Sequence, residues 1–304
     1  MTTHERLTHG VFPAMITPFD SNEDIDHEQL AAEAQRLEAA GVDGLVPVGS
    51  TGESATLSHQ EHVDVVETVI DAVDDVPVIA GSGSNNTREA LELSRQAADA
   101  GADALLLIAP YYNNPEPQGF VRHYETIADE VDCPQILYNV PGRTGRNMDP
   151  DATVELAHHE NIIGYKAASG DLGQISEIVE RTSEAEFSVI SGDDGLTLPI
   201  MSVGGTGAIS VAANVAPELV GQQVGAMDAG DLGRAQELQA TLGPLYRGLF
   251  VETNPIPVKE ALAMSGYCEP VLRSPLTRLS AGYRDGLRSM LEELAAVSGE
   301  VSLE

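Results

Sequence analysis

The segment Asn161-Ile-Ile-Gly-Tyr-Lys166 places a single amine at the end of a mostly apolar run. A lysine walled in by apolar groups loses the solvation of its ammonium, so its pKa falls and a neutral amine becomes available to attack a ketone carbon. An ion pair with a neighbouring carboxylate is the competing reading. Composition bears on the choice: among the 16 lysine and arginine residues only Lys166 and Lys259 are lysines. A lysine kept at an apolar strand end in such a chain points to chemistry that a guanidinium cannot perform. Lys259, after Asn254-Pro-Ile-Pro-Val on a helical stretch, reads as structural.

Other residues of useful type stand at similar places. Tyr138-Asn-Val-Pro-Gly-Arg143 sets a phenol at a strand end and a guanidinium on the loop above it. That guanidinium can hold a carboxylate bidentately or pair with one of the many acids. Gly49-Ser-Thr-Gly-Glu53 offers two hydroxyls and backbone N–H groups to an anion, or is an ordinary glycine-rich turn with a helix cap. Tyr111 and Tyr112 stand together after another strand, where rim packing competes with function. Asp193 and Asp194 have the type for acid/base work, but acceptance of hydrogen bonds from surrounding loops is the favoured reading. His59, Glu61 and His62 share one helical face without HExxH spacing or a third ligand, so no metal is expected; no cofactor motif, Walker A loop or GxSxG is present.

These residues need a scaffold that brings strand ends together. Short apolar runs at residues 11–16, 44–48, 76–80, 104–109, 135–139, 162–166, 187–191 and 207–211 alternate with helical patterns such as 28–40, 59–73 and 87–100. Consecutive βα units without GxGxxG predict an α/β fold of the (β/α)8 TIM-barrel type, with its active site at the C-terminal ends of the strands. The expected division is a catalytic barrel at 1–213 and a C-terminal helical region at 214–304, with helices broken at Pro244, 254–257 and Pro270.

Acidic residues number 48 and the formal net charge is -32, with no basic block to neutralise a phosphate backbone or an anionic bilayer. Nucleic acid and membranes are therefore not expected partners. With 42% apolar residues at structured spacing the chain can bury a core, so the charge belongs to a folded surface. An acidic, lysine-poor surface suggests a halophile's cytoplasm. Cys133 and Cys268 lack CxxC spacing, and the opening MTTHERLTHG has no apolar stretch; both fit a reducing, cytoplasmic setting.

Taken together, GSTGESATL, PYYNNP, YNVPGRTG, GYKAASGDL, SGDDG, GAISVAANVAP and LFVETNPIPVK resemble the dihydrodipicolinate synthase branch of the pyruvate-dependent aldolase family, in order from about Val11 to Arg278. The resemblance implies condensation of pyruvate with L-aspartate 4-semialdehyde through a Schiff base on Lys166, in lysine and diaminopimelate biosynthesis. It implies Tyr138 as general acid/base, with Ser50 and Tyr112 completing a proton relay, the last tyrosine coming in this family from a neighbouring subunit. A homo-oligomer follows, expected as a tetramer built from dimers. Thr51 and Gly52 would hold the pyruvate carboxylate, Ile209 would line the pocket through its backbone, and Arg143 would receive the semialdehyde carboxylate. That arginine favours this branch over a 2-keto-3-deoxy sugar-acid aldolase; a catalytically silent ligand-binding barrel is the reading from another class. Two positions depart from the family pattern: Ser50 stands where threonine is more common, and Ala167 where glutamate is. The pattern of lysine-inhibited members is matched by Ser54, Ala55, His59, His62, Asn85, Glu89 and Tyr111, which implies an L-lysine site between subunits or, failing regulation, a helix-packing interface.

Overall fold

The computed structural model describes residues 2–298 and 303. Its strands are β1 (Gly10–Pro13), β2 (Ile79–Gly81), β3 (Ala104–Ile108), β4 (Gln135–Asn139), β5 (Ile162–Ala167), β6 (Ser188–Ser191) and β7 (Gly207–Ser210). All pair in parallel, in the order β1-β7-β6-β5-β4-β3-β2.

The expected strand at 44–48 is a bridge segment rather than a regular ladder. Pro47 has no N–H to give, and Val48 turns to φ +49, a conformation that ends extended backbone. The segment nevertheless closes the barrel. On one side Met15 N donates to Val46 O (3.0 Å) and Val46 N to Pro13 O (3.0 Å); on the other Leu45 N donates to Pro77 O (2.9 Å) and Ile79 N to Leu45 O (2.8 Å). Isolated parallel bridges Ala14↔Val46 and Leu45↔Val78 mark the same join. The result is a curled parallel α/β barrel with eight β-segments.

Inward and outward residues separate cleanly. Phe12, Val46, Leu106, Ile136, Tyr138, Ile190 and Ile209 fill the barrel interior. Leu105, Leu107, Leu137, Tyr165 and Ala167 face the helical layer and pack with Leu30, Val66 and Tyr124. Alternation is interrupted once where it matters. Opposite consecutive Gln135 and Ile136 on β4 stand Ile162 and Gly164 on β5, so β5 carries one extra residue there. A bulge shifts the period-2 alternation by one, so Lys166 falls on the inner face while Tyr165 and Ala167 face out.

Helices match their expected positions closely. His27–Ala39 is capped by Asp26, His59–Ala72 by a Ser58/Glu61 capping box, and Thr87–Asp99 by Asn86. Beyond the last strand follow helices Pro217–Asp228, Leu232–Gly248, Ile256–Met264 and Ala281–Ser298. Pro244 does not break its helix, contrary to expectation. Leu238, Leu242, Leu245 and Tyr246 bury on both sides of it, and that packing offsets the hydrogen bond that proline forfeits.

Candidate active site

Lys166 and Tyr138 are register partners on β5 and β4, both directed into the mouth of the barrel. The Lys166 side chain is 6% exposed. Its Nζ lies 4.1 Å from the centre of the Tyr138 ring. Burial brings the Lys166 pKa down to about 7; the Asp194 carboxylate opposes this and the Arg143 guanidinium adds to it. A substantial fraction of this amine is therefore neutral near neutral pH, the state needed for nucleophilic attack. Burial raises the Tyr138 phenol to about 12, against the pull of Arg143 and a side-chain hydrogen bond with Ser50.

The lysine needs space beside its stem. A Cβ on Gly192 would fall 2.9 Å from both Cγ and Cε of Lys166, so any larger residue there would push the amine aside. Asp194, buried just beyond, accepts from Ser210 Oγ (2.5 Å), Val211 N (3.1 Å) and Ala212 N (2.9 Å). It is held as an anchor for the turn after β7, in agreement with the loop-acceptor reading.

A cavity of about 540 Å³ opens over this pair. Ser50, Thr51, Tyr138, Arg143, Lys166, Gly192, Asp193 and Asn254 line it, with Tyr246 from the helix Leu232–Gly248 and Phe250 from the turn after it. Gly52 follows the lining residue Thr51 but is not itself in the lining; a Cβ there would meet Val48 N at 3.0 Å and Met15 O at 3.2 Å. Arg143 sits on the short helix Pro141–Thr144, and its Nη2 donates to Asn254 O (2.7 Å). From the same asparagine Nδ2 donates to Thr51 Oγ1 (2.9 Å). Ile209 lies lower, in the packed interior of the barrel, while Val211 reaches the cavity wall.

Tyr112 stands apart. It is 85% exposed at φ +67, turned outward from the barrel that carries Tyr138 and Ser50. A bulky residue held in the left-handed region and offered to solvent is costly to keep without a contact to make.

A second cavity of about 430 Å³ shares Gly49, Ser50, Tyr138, Arg143 and Asn254 with the first as a common wall. Ser54, Ala55, His59, His62, Glu89 and Tyr111 line it. Glu89 pairs with His59 Nε2 (2.9 Å) and also accepts from Ser84 Oγ. His62 is buried, bonds through Nε2 to Gly81 O (2.7 Å), and is driven down to about 4 by desolvation. Asn85 is not among the lining residues, although Ser84 before it is; its carbonyl accepts from Asn113 Nδ2 (2.8 Å). Among the described residues no group of three or more His, Cys, Asp or Glu side chains could hold a metal ion, and no helix is long and apolar enough to cross a membrane.

Gly192 and Asn254 carry the site's geometry, yet sequence reasoning assigned neither a role. Both lie in recognised motifs, SGDDG and ETNPIPVK, but their work is done on atoms far along the chain, where no local spacing reports it.

A low-pKa amine beside a phenol, at the C-terminal mouth of a closed barrel, defines an enzyme of the Schiff-base (class I) aldolase type. A profile of the dihydrodipicolinate synthetase family matches residues 7–294, and the chain belongs to that family. The 4-hydroxy-tetrahydrodipicolinate synthase of Haloarcula marismortui is 68% identical over 286 residues, covering 94% of each chain. Among solved structures, the chloride-inhibited dihydrodipicolinate synthase of Acinetobacter baumannii complexed with pyruvate superposes with a TM-score of 0.93 at 40% identity, covering 95% of this chain and 99% of that one. The enzyme from Cyanidioschyzon merolae with lysine bound gives 0.91 at 38% identity, covering 95% and 98%.

Proposed function

We propose that this chain is a 4-hydroxy-tetrahydrodipicolinate synthase that condenses pyruvate with L-aspartate 4-semialdehyde. The observation that carries the chemistry is the buried Lys166 amine 4.1 Å from the Tyr138 ring centre, under an open cavity, with its pKa brought down to about 7. Lys166 attacks C2 of pyruvate and water leaves to give an imine. The imine draws electrons from C3, which loses a proton to become an enamine and then attacks the aldehyde carbon of the semialdehyde. The semialdehyde's own amine then closes on C2 and releases Lys166.

Tyr138 shuttles the protons of these steps, and Ser50 passes them on through its bond to the phenol. Thr51 and Gly52 take the pyruvate carboxylate, with Ile209 beneath that end of the pocket, and Arg143 takes the carboxylate of the semialdehyde. Tyr112 serves the relay of a neighbouring copy. Its outward, strained placement supports that assignment and favours a homo-oligomer, a tetramer built from dimers, over a working monomer. The barrel at 1–213 holds the chemistry, and the helical region at 214–304 braces it.

The second cavity suits L-lysine: Glu89, paired with His59, offers a carboxylate to an ammonium, Tyr111 lines the same cavity, and Asn85 follows the lining residue Ser84 in the chain. The acidic, lysine-poor composition supports a halophilic protein working in a cytoplasm. The high identity to relatives of this activity favours the synthase over a sugar-acid aldolase or a silent barrel. Purified protein assayed with pyruvate and either L-aspartate 4-semialdehyde or a 2-keto-3-deoxy sugar acid decides this. Turnover is expected with the semialdehyde, and cleavage of the sugar acid alone would reject the assignment.

A further inference from the structure

Directly after Ser50, Thr51 and Gly52 comes Glu53, which borders the second cavity but not the one over Lys166, and whose carboxylate is fully enclosed. Glu53 Oε1 accepts from Lys259 Nζ (2.5 Å), and both side chains are 0% exposed. Its Oε2 accepts from Arg273 N (3.1 Å). The backbone at Glu53 has φ +54, a left-handed conformation that a residue with a Cβ holds only when its surroundings impose it. Successive residues of this turn are tied from outside it: Thr51 Oγ1 by Asn254 Nδ2, Gly52 O by Thr17 Oγ1 (2.7 Å), and Glu53 by Lys259 and Arg273.

We propose that the Glu53–Lys259 pair is a positioning device that locks the Thr51-Gly52 turn in the shape that receives the pyruvate carboxylate. The inference rests on the reading of that turn as the carboxylate site. Glu53 and Lys259 touch no substrate, and they act through the turn.

Stability alone is a poor explanation for such a pair. Two charges withdrawn from water lose solvation that their attraction barely repays, and apolar groups of similar volume often serve the core as well or better. What an ion pair adds is direction: the carboxylate must point at the ammonium, which fixes the backbone that carries it. The site also bears on why lysine survives here in a chain whose other basic residues, Lys166 apart, are arginines. Lys259 Nζ sits 4.1 Å from the Phe19 ring centre, and the Arg273 guanidinium already occupies that ring at 4.5 Å. A planar guanidinium is larger than the ammonium it would replace, and the Lys259 side chain is fully enclosed. Enclosure has one further effect, since mobile salt does not screen a pair it cannot reach.

The test uses the full chain and four variants: Glu53→Gln, the neutral double variant Glu53→Gln/Lys259→Met, Lys259→Arg and, as a control on the turn itself, Thr51→Val. Michaelis constants for pyruvate and for the semialdehyde, kcat, and melting temperature are measured for each. In the double variant the pyruvate KM is expected to rise by about tenfold or more while the semialdehyde KM stays within about twofold, and Lys259→Arg does not restore the parent value. A purely structural pair would lower the melting temperature and leave the pyruvate KM within about twofold of the parent, which overturns the proposal. Should the double variant fail to fold, Glu53→Gln, which keeps the shape of the side chain and an oxygen for Arg273 N, is judged by the same KM criterion. If Thr51→Val raises the pyruvate KM and the brace variants do not, the brace fails and the carboxylate reading stands. If Thr51→Val itself leaves that KM unchanged, the carboxylate reading fails at its own residue.

Discussion

The two lysines of this chain are both buried, yet they are set up for opposite work. Lys166 ends a barrel strand, faces an open cavity, and has a phenol ring against its amine and Asp194 near enough to act on it only through space. Lys259 lies on a C-terminal helix, closed off from solvent, with the Glu53 carboxylate in direct contact. Burial alone does not make a nucleophile. What separates the two is the partner: burial lowers both amines, but at Lys259 the Glu53 carboxylate in contact opposes that shift and fixes the amine, whereas Lys166 has a neutral phenol beside it and a cavity through which a ketone can reach it.

Replacement of each lysine's chemistry should break this contrast in different ways. Lys166→Met is expected to have the largest effect on activity, a loss of kcat/KM on the order of 10⁴-fold or more, checked by steady-state kinetics. The same variant should gain stability. The unfolded lysine keeps its proton up to its ordinary pKa of 10.5, whereas the folded one releases it near 7. Between those values the unfolded chain binds more protons, so the parent's stability rises with pH, and Lys166→Met should lose that slope in denaturant titrations at pH 7 and pH 9.

At the other lysine, removal of the partner is expected to cost stability. Glu53→Ala leaves a buried ammonium without its carboxylate and should cost about 3–5 kcal/mol of unfolding free energy by denaturant titration. A stable Glu53→Ala would remove the contrast. Arg143→Ala is smaller again. The semialdehyde KM should rise by about tenfold to a hundredfold, far more than the pyruvate KM, because one charged bidentate partner is lost. Equal effects on both would sink the assignment. Because Arg143 helps to depress the Lys166 pKa, the rising limb of kcat/KM for pyruvate, expected near pH 7 in the parent, should move to higher pH in this variant.

Much of this site was legible before any coordinates. Strand periodicity placed Lys166, Tyr138 and the 49–53 turn at strand ends, and the lysine count separated Lys166 from a background of arginine. Periodicity did not reveal which way Lys166 points. Its inward direction depends on the extra residue in β5, and a bulge appears only when two strands are laid side by side. Pro47 and the turned Val48 made the second strand irregular, a backbone property to which the apolar pattern at 44–48 is blind. Pro244 misled for a related reason, because helix propensity yields to burial on either side of the proline. Asn254 and Gly192 were silent since each acts by close approach to a residue distant in the chain.

The most direct test of the contrast between the two lysines is borohydride reduction in the presence of pyruvate, followed by peptide mass analysis. A pyruvate-dependent reduced adduct on Lys166, with Lys259 untouched and the adduct absent from Lys166→Met, is the predicted result. An unmodified Lys166, or an adduct on Lys259, would contradict it.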